Sequence, residues 1–397
     1  MTQRRAMHAV LGAQFFTSLA DNALLIVAIG LLVERAAPSW MTPALRICLY
    51  VAYVLLAPFA GAVADAFPKG RVMLLANLAK LGACLLLAFD AHPLLAFGAI
   101  GVVGVTYGPA KYGILAELAP AGQLVAANAW IEMATVASIL GGTALGALLL
   151  APHAWLAGLG SPAHAASFAI LAMYALSALF AAAIPATVAR VGLRASGFRR
   201  DLALLWRDPD GKISLAVTTL FWAVAAALQF LVIQWAGSVL GVSLSQSALM
   251  QCFLAVGMVA GAAGVARCVT AARAMTVLPA GLVLGAAILL MTQVSALWLA
   301  CALLFATGIV AGIVLVPMNA LLQQRGAALM APGVSIALQS FNENLASLVF
   351  LAAYGGLLMA DVPVRAIMAG FGVLVIALML AIMRWRRGCS VALAGQS

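Results

Sequence analysis

Long uninterrupted apolar runs leave this chain almost no way to fold in water. Of its 397 residues, 66% are hydrophobic and only 8% are charged. A water-soluble domain carries about 25% charged residues to keep its surface hydrated. Without that coat the solvent must be lipid. Hydrocarbon offers no hydrogen bonds, so only helices or closed barrels satisfy every backbone group there. The apolar runs are continuous, on the order of 20 residues each, rather than alternating in pieces of about 10, which selects helices.

Twelve spans are predicted, near residues 8–33, 44–64, 71–90, 94–117, 122–150, 164–188, 212–240, 246–266, 274–292, 295–320, 332–359 and 364–384. Turn-forming residues sit in the gaps: Pro38 and Pro43, then Phe67-Pro68-Lys69-Gly70, then Pro120-Ala121-Gly122. Sixteen basic residues, including Arg4, Arg5, Lys69, Arg199 and Arg386, fall on one side, while Arg35, Arg46 and Arg365 fall on the other. That asymmetry places both termini in the cytoplasm. It also accounts for the net charge of +10 without nucleic acid as a partner. Arg4-Arg5 ahead of an apolar run resembles a secretory signal, but Gln14 and Asp21-Asn22 interrupt the run, which reads as the first span.

The longest polar stretch, 189–211, lies midway. Within it Phe198, Leu202 and Leu205 share one helical face, with Arg199, Arg200 and Arg207 elsewhere. That pattern fits a short amphipathic helix on the inner leaflet; a solvated linker is the alternative. The expected organisation is therefore a six-helix half over 1–188, a cytoplasmic bridge over 189–211, and a second six-helix half with a short tail over 212–397.

The halves repeat. Gly108-Pro109-Ala110-Lys111 closes span four and Val316-Pro317-Met318-Asn319 closes span ten. The next span in each half sets an amide one turn before a glutamate: Asn128 and Glu132, then Gln339 and Glu343. Matches in the same order point to a duplicated unit.

A charge at the centre of a bilayer costs about 2.5–3.5 kcal/mol on insertion scales, so those present need a reason. Asp21, Lys80, Lys111, Glu132 and Glu343 are such residues. Gln14, Ser18 and Asp21 form a polar stripe on one face of span one, which suits a cavity or a neighbouring helix. Lys111 and Glu132, on consecutive antiparallel spans, each lie about 10–14 Å inside the cytoplasmic boundary and are at a depth to pair, as a clamp, a gate or a headgroup site. Tyr107 extends the Lys111 face. Lys80 has a stem long enough to snorkel. Asp65, after Gly61 and before Arg71, sits where a carboxylate locks helix ends, a conformational role rather than a cargo contact. The four histidines lie near span ends and the six cysteines are scattered without metal spacing, so no catalytic residue, metal or cofactor is expected.

These residues also occur in recognisable strings. Gly61-Ala62-Val63-Ala64-Asp65 with Lys69-Gly70-Arg71 resembles the motif between spans two and three of the major facilitator superfamily, with Ala66 where a basic residue is usual. Ala20-Asp21-Asn22-Ala23-Leu24-Leu25, Tyr107 through Leu115, the Asn128–Glu132 turn, Val316 through Gln323 and Gln339 to Glu343 resemble, in that order, the LplT family of bacterial lysophospholipid transporters. The resemblance implies a multi-pass protein of the bacterial inner membrane. It implies flipping of lysophosphatidylethanolamine- and lysophosphatidylglycerol-type lipids to the inner leaflet. A cytoplasmic-side acyltransferase/acyl-carrier-protein synthetase would reacylate them there.

By the same resemblance Asp21 and Lys111 fall on the substrate path. Gln229 stands where relatives carry an arginine in span seven, so Asp21 needs another partner, a proton, or the cargo's ammonium. Tyr107, Asn128, Glu132, Gln229, Asn319, Gln339 and Glu343 complete the expected polar path. Two other classes compete: a proton-coupled drug or metabolite exporter, with Asp21 taking the proton, and a membrane acyltransferase, which the peripheral histidines disfavour.

Overall fold

The computed structural model describes residues 3–38, 41–119, 122–150, 162–185, 197–242 and 244–394. The predicted turn at Pro120-Ala121 and the first part of the bridge, 189–196, lie outside them. Every regular element described is helical. In chain order the first half gives α1 (Gln3–Glu34), α2 (Met41–Ala66), α3 (Lys69–Ala88), α4 (Pro93–Leu118), α5 (Leu124–Leu150) and α6 (Pro162–Ala182). A short α7 (Phe198–Arg207) leads into α8 (Pro209–Leu240) and α9 (Leu244–Cys268). A 3-10 segment (Ala271–Val277) then precedes α10 (Ala280–Met291), α11 (Leu297–Leu329), α12 (Pro332–Met359) and α13 (Val364–Ala394).

Each predicted span overlaps helical structure, with informative differences at the ends. Span six was expected to reach 188, yet α6 stops at Ala182. Pro185 follows, and the residue before a proline is pushed out of the helical region, so the apolar run through Ile184 outlasts the helix. Span nine opens as a 3-10 turn rather than an α-helix. Helices α11 and α13 continue past their apolar runs as far as Leu329 and Ala394. Among the described residues, ten helices are long and apolar enough to cross a membrane. The apolar part of α6, Ala166–Ala182, is shorter, and α12, with Gln339, Asn342, Glu343 and Asn344 near its middle, is not among the ten. The chain is a multi-pass membrane protein.

The predicted helix between the halves is present as α7. Leu205 is fully buried, Phe198 packs edge-on against Phe341 at 5.3 Å, and Arg199, Arg200 and Arg207 are exposed. Asp208 then caps α8 by accepting from the Gly211 amide at 2.7 Å.

Two compact units divide the chain. One holds Met1–Leu118, Ala134–Phe198 and Met330–Phe341; the other holds Ala119–Met133, Arg199–Leu329 and Asn342–Ser397. In the first, α1 packs on α6 and α4, α2 on α4, and α3 on α4 and α6. In the second, α8 packs on α13 and α11, α9 on α11, and α10 on α11 and α13. These pairings are the same with each helix number raised by seven, which is the duplication expected from the sequence. The equivalent helices α4 and α11 carry internal prolines, Pro109 and Pro317.

Helices α9 and α11 approach each other closely. A Cβ on Gly257, Gly261, Gly308 or Gly312 would lie 2.0–2.4 Å from a backbone carbonyl oxygen of the facing helix. In lipid, where apolar side chains gain little by leaving the solvent, backbone-to-backbone packing of this kind holds helices together.

Candidate functional site

The first unit surrounds a buried charge. Lys80, on α3, directs its Nζ to Asp21 Oδ2 at 2.6 Å and to Thr17 Oγ1 at 3.2 Å. The Tyr174 hydroxyl, from α6, donates to Asp21 Oδ1 at 2.7 Å. Lys80 is almost wholly enclosed, whereas the Asp21 side chain is 33% exposed. Both line a cavity of about 90 Å³ with Leu49, Tyr53, Phe97, Ile100, Gly104 and Tyr174. An isolated ammonium here would cost several kcal/mol in lost hydration; the carboxylate and the hydroxyls make it tolerable. Lys80 therefore does not snorkel, and it is the partner that Asp21 needs with Gln229 in span seven. The polar stripe on α1 continues to Gln14, whose Nε2 donates to Thr135 Oγ1 at 2.8 Å.

A second cluster joins α2, α3, α4 and the start of α12. Asp65 accepts from the backbone amides of Gly333 and Val334 at 3.0 and 2.9 Å. Those amides open α12 and have no acceptor within their own helix, so the carboxylate caps it and meets its positive end. Gly61 permits the approach: a Cβ there would fall 2.5 Å from Val334 Cα. Lys69, 1% exposed, donates to Glu117 at 2.7 Å and lies 3.7 Å from Asp65. It supplies the positive charge that Ala66 does not. Arg71 is exposed.

In the second unit Asn128 and Gln323 exchange hydrogen bonds across α5 and α11. Asn128 Nδ2 donates to Gln323 Oε1 at 2.9 Å, and Gln323 Nε2 donates to Asn128 Oδ1 at 2.8 Å. The two residues are 2% and 3% exposed. Asp208 binds Arg325 of α11 through Nε at 2.9 Å and through a second nitrogen. Burial works to raise the Asp208 carboxyl, but the bonds from Arg325 and the Gly211 amide outweigh it and hold the carboxyl below its ordinary value.

No family model matches the chain. Among proteins of known function, it is 38% identical over 364 residues to the lysophospholipid transporter LplT of Yersinia pestis (strain Pestoides F), covering 91% of this chain and 89% of the relative. The LplT of Yersinia pseudotuberculosis serotype O:3 (strain YPIII) matches to the same extent. The chain belongs to the LplT family of lysophospholipid transporters. Solved structures agree on the fold. The human organic anion transporter MFSD10 superposes with TM-score 0.75 at 20% identity, covering 96% of this chain and 100% of that one. The major facilitator transporter FucP, in its outward conformation, gives 0.76 at 13% identity, covering 96% and 98%.

The other residues expected on the path of this LplT-family chain are mostly buried. Tyr107, Lys111, Glu132, Asn319 and Gln339 are buried, and Glu343 is half-buried. Lys111 Nζ stands 4.1 Å above the Tyr112 ring, a cation–π contact. Gln229 is exposed, and its backbone carbonyl accepts from Gln251 Nε2 at 2.9 Å. Four residues that matter to these clusters, Lys80, Tyr174, Lys69 and Gln323, were not expected among the site residues. Lys80 carried a signal as a charge within a span. Gln323 closed a recognisable string. Tyr174 carried none, because a tyrosine in an apolar helix reads as packing.

Proposed function

We propose that this chain flips lysophospholipids of the lysophosphatidylethanolamine and lysophosphatidylglycerol type from the outer to the inner leaflet of the bacterial inner membrane. All twelve long helices cross the bilayer with both termini cytoplasmic. The halves 1–188 and 212–397 alternate access, joined by the bridge 189–211 with α7 on the inner leaflet. Reacylation follows on the cytoplasmic side through an acyltransferase/acyl-carrier-protein synthetase. The observation that carries this reading is the relationship along nearly the whole chain to transporters named for that cargo. The physical problem is the head: one acyl chain can remain in lipid, whereas a phosphate crossing hydrocarbon needs a polar route.

Asp21, Tyr107, Lys111, Asn128, Glu132, Gln229, Asn319, Gln339 and Glu343 provide that route. Lys111 draws the phosphate, and a carboxylate suits an ethanolamine ammonium. Gly61, Asp65 and Arg71 control the conformational change, an assignment supported for Gly61 and Asp65 by the capping contact with α12.

A comparison of cargoes separates this reading from the exporter class. Proteoliposomes holding the full chain are given labelled lysophosphatidylethanolamine or a labelled soluble cationic drug, with and without a proton gradient. Lipid movement without drug movement is expected. Drug movement that requires the gradient, with no lipid movement, would replace the lipid reading with proton-coupled export.

A further inference from the structure

The ion pair of the first unit has an asymmetry that an inert structural pair does not require. Its cation is enclosed at 5% side-chain exposure, and its anion, from a different helix, is exposed at 33% on the cavity that both line. The donors on the carboxylate are Lys80 of α3 and Tyr174 of α6, with Thr17 of α1 beside the ammonium. They form a positive, hydroxyl-lined seat whose present acceptor is the more exposed member. A carboxylate and a phosphodiester make the same demand on such a seat: oxygen acceptors carrying negative charge, met by a point-charge ammonium and hydroxyl donors.

We propose that Lys80, Tyr174 and Thr17 form a cradle for the cargo's phosphate, and that the Asp21 carboxylate competes with that phosphate for it. The inference rests on the lysophospholipid reading for its cargo and adds to the Lys111 role a second phosphate contact and a means of release. Opening a buried ion pair outright leaves an uncompensated charge, at a cost of about 3–5 kcal/mol. Exchanging one anion for another keeps Lys80 neutralised, and the carboxylate that is displaced is the more exposed member, with the smaller desolvation cost. Asp21 thereby lowers affinity for the phosphate and returns to eject it. The surroundings support a polar occupant. Tyr53 and Tyr174 both line the cavity, and Lys80 Nζ lies 5.3 Å from the Tyr107 ring centroid. A cavity of about 90 Å³ suits a headgroup and leaves the acyl chain outside.

The test is equilibrium binding of lysophosphatidylglycerol, and of its tailless headgroup glycerophosphoglycerol, to the purified full chain in detergent micelles. Asp21→Asn is expected to tighten both by about tenfold, and Lys80→Gln to weaken both by at least about tenfold. The double variant Asp21→Asn/Lys80→Gln retains a neutral amide pair for folding, which thermal unfolding verifies, and is expected to bind as weakly as Lys80→Gln. Transport by Asp21→Asn is expected to fall despite the tighter binding, because release slows. If Asp21→Asn weakens binding as Lys80→Gln does, or if neither changes it, the competition is overturned. If the headgroup follows the expected pattern and the acyl chain adds no affinity, the cradle stands as a phosphate site and the lipid cargo is wrong.

Discussion

Asn128 and Gln323 bind each other twice, each side-chain amide donating to the other's oxygen at 2.8–2.9 Å. The pairing is reciprocal and uncharged, so it holds the start of α5 to α11 without a charge having to be desolvated. Neither amide has water to fall back on, since both residues are buried. Truncating Asn128 strips the Gln323 amide of this partner, and truncating Gln323 strips the Asn128 oxygen of its donor while Asn128 Nδ2 keeps the Leu124 carbonyl oxygen at 2.9 Å, each at about 1–3 kcal/mol. Asn128→Ala and Gln323→Ala are each expected to lose that much in thermal or denaturant unfolding in micelles. The double variant is expected to lose less than the sum, by about 1 kcal/mol. Additive losses would mean the pair is not coupled.

Asp65 holds the first turn of α12 through two backbone amides. Asp65→Ala is expected to cost about 2 kcal/mol, since both bonds are charge-assisted, and Asp65→Asn roughly half of that, since one acceptor oxygen remains. Melting temperatures of the purified variants read the order directly. Arg71→Ala, on an exposed side chain, is expected to leave stability unchanged.

Two glycines on α9 separate close approach from mere helix content. A Cβ on Gly261 would meet the Ile309 carbonyl oxygen at 2.1 Å, whereas one on Gly264 meets nothing within 4 Å. Gly261→Ala is expected to destabilise by about 1–3 kcal/mol through overpacking. Gly264→Ala is expected to be neutral or stabilising by up to about 1 kcal/mol, because alanine is the better helix former. Equal effects of the two substitutions on melting temperature would remove the packing explanation.

How much of this was legible in the residues depended on which physical constraint each one answered. Hydrocarbon forbids irregular backbone, so apolar run length located every long helix. The misplaced end of α6 came from trusting hydropathy over Pro185, which stops a helix even in an apolar run. The charges Asp21, Lys80, Lys111 and Glu132 were visible one at a time because each is costly in lipid. That Asp21 and Lys80 are each other's partners was not. Helical periodicity places Asp21 on a face but does not say that α3 and α6 bring Lys80 and Tyr174 to it. The Asn128–Gln323 pair spans 195 positions and matches no local pattern. Lys69 was read as part of a turn, and its burial against Glu117 and Asp65 arises from how α2, α3 and α4 meet.

Acid should unfasten the second unit through Asp208. Its carboxyl is held below the ordinary value, so it takes up its proton less readily folded than unfolded. The stability this contributes is fully present above the unfolded carboxylate pKa of about 3.9, and it is lost as pH falls through the lower, folded value. Melting temperature followed from pH 7 to pH 3 is expected to fall more steeply in the wild type than in Asp208→Asn, which starts lower and lacks the titrating group. Parallel curves would show that the Arg325 contact contributes no pH-dependent stability.

Movement of a lysophospholipid head across a bilayer by the chain itself is open to direct observation. The direct measurement places labelled lysophosphatidylethanolamine in the outer leaflet of vesicles containing the purified full chain. A membrane-impermeant amine reagent then reports how much headgroup remains outside. Protein-dependent loss of outer headgroup is expected, greatly slowed by Lys80→Gln and by Lys111→Ala in well-folded protein. A headgroup that stays outside at the rate of empty vesicles, with the wild-type chain folded, would contradict lysophospholipid flipping and leave the major facilitator fold with a different cargo.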